Sequence, residues 1–197
     1  MKISSDYRSE AREVLHGVWS EAAVFVLVYG VISIAVSAIC GSVIPIVGSF
    51  VAVLMLVPVS YAFVVSFLTL KRGGKCDIAY LFKEFNSRVL TTMVLSNIYQ
   101  WLWSLLLVVP GIIKSYSYAM TPYLLKDNEE LSGNEAIEES MRMMDGHKWD
   151  LFCLDLSFIG WMILCIFTLG IGMLWLLPYM NTARAAFYEE LKSQQNA

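Results

Sequence analysis

Residues 149–192 read WDLFCLDLSFIGWMILCIFTLGIGMLWLLPYMNTARAAFYEELK, and this stretch decides the class of the fold. It contains two apolar runs, separated by a break at residues 168–172 that includes Gly170 and Gly172. A helix needs about 20 predominantly apolar residues to cross the hydrocarbon core of a bilayer, and each run is of about that length. The stretch therefore predicts a hairpin of two membrane-crossing helices.

The composition of the whole chain agrees with a membrane protein. Hydrophobic residues make up 57% and charged residues 16% of the chain, whereas soluble domains average about 45–50% and about 25%. The mean hydropathy is +0.60, and residues 22–70 contain no Asp, Glu, Lys or Arg. An ordinary soluble domain is excluded. The net charge of −3 does not favour a nucleic-acid partner, and the acidic segment 127–150 argues against a basic membrane-surface clamp.

Two more hairpins are predicted on the N-terminal side of residues 149–192. Residues 22–70 form two helices around a turn at residues 41–45, and residues 89–125 form two helices around Pro110-Gly111. The predicted fold is therefore all-α, a polytopic membrane protein with six transmembrane helices arranged as three helical hairpins.

A short amphipathic surface helix precedes each predicted hairpin, because apolar residues recur there at helical spacing. The three helices are expected at residues 6–17, 77–85 and 132–146. In the third helix, Ser132 and Glu135 fit a capping box, in which each side chain accepts a bond from the other's backbone N–H. We predict a single integral membrane domain over residues 1–197, and its units are approximately 1–70, 71–126 and 127–197.

The returning helices of the three units share a pattern in which a glycine precedes a proline. The pairs are Gly48 and Pro58, Gly111 and Pro122, and Gly170 and Pro178. This similarity predicts an internal threefold repeat. The alternative is that the three hairpins are similar because only a few structures can cross a membrane.

The positions of Lys and Arg predict the orientation, because the cytoplasmic loops of membrane proteins are rich in both. The tight turns at residues 41–45, 110–111 and 168–172 contain no charged residue, whereas loops 71–88 and 126–148 contain several Lys and Arg. We therefore place both termini and both large loops in the cytoplasm, in a multi-pass protein of the plasma (inner) membrane.

The C-terminal part carries motifs that resemble a known family. They are LSFIGW at 156–161, TLGIG at 168–172, LWLLPY at 174–179 and AFYE at 186–189, together with Pro110-Gly111-Ile112 and the set Ala136, Ser140, Met144, Gly146 and Lys148. With these motifs the chain resembles an uncharacterised bacterial integral membrane family, domain of unknown function 975, over most of its length. More distantly, it is similar to the membrane domain of some glycerophosphodiester phosphodiesterases, whose catalytic domain has no counterpart here. The resemblance implies a bacterial plasma-membrane protein and no catalytic residues.

No catalytic or metal-binding constellation is evident in the sequence. His16 and His147 each lie before an apolar run without a partner at metal-ligand spacing. The four cysteines form no CxxC pair, and the acidic residues after position 126 do not match an EF-hand loop. GxSxG, HExxH and phosphate-loop motifs are also missing from the sequence. We therefore predict that the chain is not an enzyme and has no cofactor.

Two opposite charges lie inside the apolar runs of residues 149–192. Asp155 lies 14 residues before Leu169, and Arg184 lies 14 residues after Gly170. On two antiparallel helices joined at this turn, both side chains have the same depth. Since an unpaired charge within a membrane is costly and Arg can bind a carboxylate through two bonds, we predict an intramembrane ion pair between Asp155 and Arg184.

Polar residues in the second hairpin could form a cleft. Gln100 lies on one face of the third predicted crossing helix with Asn97 beside it, and Lys114 and Thr121 share a face of the fourth. These groups either tie helices together through hydrogen bonds or line a polar cleft for a small solute or lipid headgroup. The predicted cleft residues are Asn97, Gln100, Lys114, Tyr118, Thr121 and Asn181. Lys114 is expected to extend to the outer interface.

Two main hypotheses for the function follow. The first is a membrane scaffold or accessory protein that binds lipid or a partner at the inner face of the membrane. The alternative is a transporter or permease for a small solute or lipid, with a polar cleft between crossing helices 3, 4 and 6. An intramembrane enzyme has the least support. The expected partners are the lipid bilayer and either another membrane protein or further copies of this chain, and no nucleic acid is expected.

Overall fold

The computed structural model describes residues 2–43, 45–75, 77–83, 86–106, 108–128 and 130–195, and in these residues every regular element is an α-helix. The all-α class is therefore confirmed. The helices are α1 (Ser4–Leu15), α2 (Trp19–Val43), α3 (Pro45–Lys71), α4 (Tyr80–Lys83), α5 (Ser87–Leu106), α6 (Val108–Ser117), α7 (Thr121–Asp127), α8 (Gly133–Met143), α9 (Lys148–Leu156), α10 (Ile159–Phe167) and α11 (Met173–Gln195).

The longest hairpin consists of α2 and α3, both of which are apolar on all sides. Helices of this kind lie either in a core or in a membrane. The two helices pack through aromatic rings: Phe63 stacks on Tyr29 with ring centroids 4.2 Å apart and on Phe25 at 5.7 Å. Further along α2, large apolar side chains such as Val31 and Ile34 are exposed.

Two stretches within the described residues are long and apolar enough to cross a membrane, namely Trp19–Cys40 and Lys148–Phe167. Only 11% and 22% of these stretches is buried, whereas the core helix of a soluble protein is mostly buried. Both stretches therefore suggest an association with a membrane. Six transmembrane helices are not confirmed, because the remaining helices are shorter, more polar or only partly described.

Two of the predicted crossing helices are interrupted. The helix expected over residues 112–125 is divided into α6 and α7, and the helix that begins near Trp149 is divided into α9 and α10. Pro122 lies in the first turn of α7, where its missing N–H needs no partner, so a new helix begins there. Ser157 donates its hydroxyl to the Leu154 carbonyl at 2.6 Å, a local bond that competes with the helix.

The amphipathic helices pack against the bundle. Helix α1 lies along α11, where the Tyr7 ring meets the Phe187 ring edge-on at 5.3 Å. The Ser140 hydroxyl of α8 donates to the Ser117 carbonyl at 2.8 Å. In α4, Leu81 is fully buried. These contacts place residues of all three amphipathic helices against other parts of the protein. Phe85, expected on the same face as Leu81, lies outside the described residues.

The turns into α2 and α9 have the same geometry. Gly17, between α1 and α2, has φ 88°, and Gly146, between α8 and α9, has φ 80°. This left-handed conformation is strained for any residue with a Cβ and ends a helix readily at glycine. The first and third units therefore change direction in the same way, although the predicted threefold repeat is not shown.

Many of the exposed apolar side chains lie near the hairpin turns, whereas most of the core lies away from them. The core is formed mainly by α1, the second half of α3, α7, α8, α9 and α11. Exposed apolar side chains gather near the turns of the three hairpins and include Ile34, Ile39, Trp101, Val109, Ile112, Ile166, Phe167 and Leu169. The molecule thus has a packed end and three apolar hairpin ends.

Candidate functional site

Asp155 of α9 and Arg184 of α11 lie together, at the positions that counting from the turn predicts. Arg184 donates from Nε to Oδ1 at 3.0 Å and from Nη2 to Oδ2 at 2.7 Å. This is a two-bond contact, the strongest arrangement that arginine makes with a carboxylate. The Tyr116 hydroxyl of α6 donates to Asp155 Oδ2 at 3.2 Å. The Asp155 side chain is 15% exposed, and it therefore links three helices in a largely buried place.

A larger group of charges surrounds Asp127, the last residue of α7, and we call it the Asp127 cluster. Arg72, just after α3, donates from Nη1 and Nη2 to the two carboxylate oxygens at 2.6 and 2.7 Å. From α11, the Tyr188 hydroxyl and Lys192 Nζ donate to Oδ2 at 2.8 and 2.5 Å. Glu189 completes the cluster by accepting a bond from Arg72 Nε at 2.6 Å. One carboxylate therefore connects the ends of three helices.

The environment of Asp127 strongly favours its charged form. Its side chain is 5% exposed, and burial by itself would raise the pKa of the carboxyl group. Hydrogen bonds from Arg72, Lys192 and Tyr188 outweigh this effect and lower the pKa of Asp127 to about 2. The carboxylate is thus a fixed anion that holds two cations and is unsuited to accept a proton near neutral pH.

A third charged group attaches α1 to the same end of the molecule. Glu10 forms ion pairs with Lys71, at the end of α3, and with Lys2, whose Nζ lies 3.1 Å from Glu10 Oε2. The backbone N–H of Lys2 also donates to Glu190 of α11 at 2.8 Å. Burial raises the pKa of Glu10, but the hydrogen bonds from both lysines lower it below its usual value. The N-terminal helix is therefore held by charge as well as by packing.

Among the residues predicted to line a polar cleft, the two asparagines form local hydrogen bonds. Asn97 donates to the Met93 carbonyl at 2.7 Å, and Asn181 donates to the Leu177 carbonyl at 2.9 Å. Both amides thus bind the backbone of their own helix. Gln100 is half-buried and Tyr118 is buried, while the buried Thr121 hydroxyl has no hydrogen-bond partner among the described residues. Two cavities in the described part of the molecule, one between α10 and α11 and one beside the start of α2, have no predicted cleft residue in their walls.

Lys114 does not extend to an outer interface. Its Nζ lies 5.1 Å from the centre of the Trp103 ring of α5 and 3.6 Å from Met141 Sδ of α8. The expected snorkelling is therefore wrong. The physical reason is tertiary: α8 packs beside α5 and α6 and offers the ammonium group a polarisable surface nearer than water.

Metal-binding geometry is not found in the described ranges, where no three His, Cys, Asp or Glu side chains come together. His147 Nδ1 lies 3.4 Å from Asp150 Oδ2, its neighbour one helical turn away. Asp127, Asp155 and Glu10 are each bound by cationic side chains. This arrangement suits a structural role for these carboxylates.

The Asp127 cluster was not predicted, although the sequence contains a signal for it. Arg72, Asp127 and Lys192 each lie at the end of an apolar run. In a set of antiparallel hairpins, these ends fall on one side of the molecule. Charges of opposite sign at the same side could therefore have been paired by position, as Asp155 and Arg184 were.

Comparison with known proteins gives one family match. The model of a family described as "Protein of unknown function (DUF975)" matches residues 1–113 and 105–195. No curated protein and no solved structure is significantly similar to the chain. The more distant similarity to the membrane domain of glycerophosphodiester phosphodiesterases is therefore not shown.

Proposed function

The chain belongs to the DUF975 family of proteins of unknown function, and from that premise we propose that it is a scaffold or accessory protein of the bacterial plasma membrane. In this proposal the three apolar hairpin ends insert into the bilayer, and the stretches Trp19–Cys40 and Lys148–Phe167 are long and apolar enough to cross it. The packed, charged end lies in the cytoplasm with both termini. There it binds lipid or a partner, either another membrane protein or a second copy of this chain.

The division of the surface into a charged end and apolar hairpin ends carries this proposal. The Asp127 cluster and the Glu10 ion pairs gather at the ends of α3, α7 and α11. Away from these charges, at the C-terminal end of α10 and in the turn that follows it, Ile166, Phe167 and Leu169 are 72%, 80% and 93% exposed. Side chains of this kind are stable when they face lipid, and Lys and Arg favour the cytoplasmic side.

A scaffold is favoured over the alternative of a transporter. Transport requires a polar path through the protein, and polar residues that face the interior of the bundle mark such paths. Here Asn97 and Asn181 bind their own helices, and Lys114 lies against Trp103 and Met141. The two amides are thus satisfied within their own helices, and the contact of Lys114 with Met141 joins α6 to α8, which supports a structural role for these three residues.

Membrane insertion is tested by placing a charge on an exposed apolar position. Ile34 in α2 is 71% exposed, and Ile3 before α1 is 72% exposed. A carboxylate in the middle of a crossing helix costs about 2.5–3.5 kcal/mol. We expect Ile34→Glu to reduce the fraction of protein that resists extraction from membranes by alkaline carbonate. The matched control Ile3→Glu is expected to leave that fraction unchanged.

Two results would contradict the proposal. In one, the wild-type chain is itself released by carbonate, as a peripheral or soluble protein is. In the other, Ile34→Glu and Ile3→Glu remain in the membrane to the same extent, which would show that α2 does not face lipid.

A further inference from the structure

An apolar groove lies between α10 and α11, and the first turn of α2 and Arg12 of α1 close one end of it. Its volume is about 420 Å³. Aromatic and aliphatic side chains form its walls, and these are Trp19, Trp161, Leu164, Cys165, Trp175, Leu176 and Tyr179. Thr168 and Gly172 lie at the opposite end, in the turn of the third hairpin.

Arg12 is the only charged residue among the side chains described around this groove. Its Nε donates to the Tyr179 hydroxyl at 3.2 Å, and its guanidinium carbon lies 5.9 Å from the centre of the Tyr179 ring. Within the described parts of the chain, Arg12 forms no ion pair with a carboxylate, in contrast to Arg72 and Arg184. The guanidinium therefore keeps donors on its two terminal nitrogens for an anion from outside the chain.

The groove opens to the side, away from the bundle. Trp161 is 53% exposed and Trp175 is 47% exposed, and the groove continues into the exposed apolar face of α10. From Tyr179 to Gly172 the helix rises about 10 Å, at about 1.5 Å per residue. At the far end, a Cβ on Gly172 would lie only 2.8 Å from Cys165 Sγ, so α10 and α11 close together there.

We propose that this groove binds one anionic phospholipid from the cytoplasmic leaflet, with the phosphate on Arg12 and one acyl chain along the tryptophans. The inference rests on the membrane location in the proposed function. A lone cation at one end of an apolar groove matches an amphiphile that carries one anionic group. Arginine binds phosphate oxygens through two parallel N–H bonds, and the lateral opening admits a chain from the bilayer.

The preference for an anionic headgroup can be measured by tryptophan quenching. The full chain in detergent micelles is titrated with brominated-acyl phosphatidylglycerol and, separately, with brominated-acyl phosphatidylcholine. Both lipids quench tryptophans at the general lipid-facing surface equally, so a difference between them reports on a headgroup site. We expect half-maximal quenching at an about fivefold lower concentration of phosphatidylglycerol, because one cation near a membrane surface has an effect of that size.

Substitutions at the two ends of the site separate its parts. Arg12→Gln is expected to abolish the preference for phosphatidylglycerol, whereas Arg142→Gln, an equal loss of charge at a side chain 75% exposed, keeps it. Leu164→Tyr fills the groove and is expected to weaken quenching by both lipids. Leu156→Tyr is its control, since Leu156 is similarly exposed and lies outside the groove.

Equal quenching by the two lipids in the wild-type chain would overturn the proposal, and so would a preference that Arg12→Gln leaves unchanged. Either result in a chain that resists carbonate extraction disproves the lipid site alone. Release of the wild-type chain by carbonate would instead contradict the proposed function on which the lipid site rests.

Discussion

The molecule contains two buried carboxylates in contrasting surroundings. Asp155 binds one arginine and one tyrosine, and its cation lies 29 residues away in the same hairpin. Asp127 binds Arg72 and Lys192, which lie 55 and 65 residues away in different units of the chain. The ion pair of the first carboxylate joins the arms of one hairpin, with one tyrosine from a second hairpin, whereas the ion pairs of the second carboxylate join separate hairpins.

The partners of the two carboxylates indicate how the packed end is held together. Removing Asp155 takes the acceptor from Arg184 and from the half-buried Tyr116 hydroxyl. Removing Asp127 takes it from Lys192 and the buried Tyr188 hydroxyl and leaves Arg72 with Glu189 alone. Breaking a buried ion pair from one side is strongly destabilising because the remaining charge stays desolvated. We therefore expect Asp127 to matter more for the stability of the assembled bundle.

The largest expected effect is that of Asp127→Asn. We expect it to lower the free energy of unfolding in detergent by about 2–3 kcal/mol, at the lower end of the range for a broken buried pair, because Arg72 and Lys192 are each 39% exposed. Asp145→Asn is the control, since Asp145 is 88% exposed and 4.0 Å from its lysine. Thermal unfolding followed by circular dichroism measures both. Equal losses of stability from Asp127→Asn and Asp145→Asn would contradict the stabilising role of the Asp127 cluster.

The stability that the Asp127 cluster provides should decrease at acid pH. The pKa of Asp127 is about 2 in the folded chain and about 3.9 in an unfolded one. Since folding lowers the pKa, the stabilisation is complete above pH 3.9 and is lost as the pH falls toward 2. Between pH 5 and pH 2 we expect the wild type to lose about 2 kcal/mol more stability than Asp127→Asn. Parallel acid profiles of the two proteins would contradict the charged state of this carboxylate.

A double-substitution cycle measures the interaction between Asp155 and Arg184. Asp155→Asn and Arg184→Gln are each expected to destabilise the chain by about 1–2 kcal/mol, and the double variant by less than the sum of both. The reason is that each single change leaves a partner unpaired, while the double change leaves none. The midpoints of thermal unfolding in detergent give the coupling energy. Losses that simply add would show that the two side chains do not interact.

The smallest expected effects come from the tyrosine hydroxyls of the two sites. Tyr188 donates to Asp127 at 2.8 Å and is fully buried, whereas Tyr116 donates to Asp155 at 3.2 Å and is half-buried. We expect Tyr188→Phe to lower the stability by about 1 kcal/mol and Tyr116→Phe by less than that. Denaturant titrations of both variants measure the difference. A larger loss for Tyr116→Phe would reverse the order of the two sites.

The sequence predicts the features that depend on near neighbours. The Ser132–Glu135 capping box is confirmed, with the Ser132 N–H donating to Glu135 at 2.7 Å. The all-α class follows from apolar runs and their breaks. The partners of Asp155 and Arg184 follow because both residues are counted from one turn, whose geometry fixes their depth.

Features that depend on packing between units were not predictable in this way. Lys114 contacts Met141 because α8 packs beside α6. Helix α1 lies along α11, where the Tyr7 ring packs against the Phe187 ring. The Asp127 cluster joins residues at α3, α7 and α11, and the distances between them along the chain follow no repeat. Contacts of this kind depend on how the hairpins are arranged relative to one another, which periodicity along one helix does not determine.

In the proposed topology, the apolar hairpin ends and the charged end lie on opposite sides of a membrane or at different depths in it. Single cysteines at Ser42, in the first hairpin turn, and at Lys75, in the charged loop after α3, test it most directly. The background replaces the native cysteines Cys40, Cys76, Cys153 and Cys165 by serine. A membrane-impermeant maleimide applied to intact cells should label the Ser42→Cys chain, and the Lys75→Cys chain only after the cells are opened. Labelling of Lys75→Cys in intact cells, or of both positions only after opening, would contradict the account.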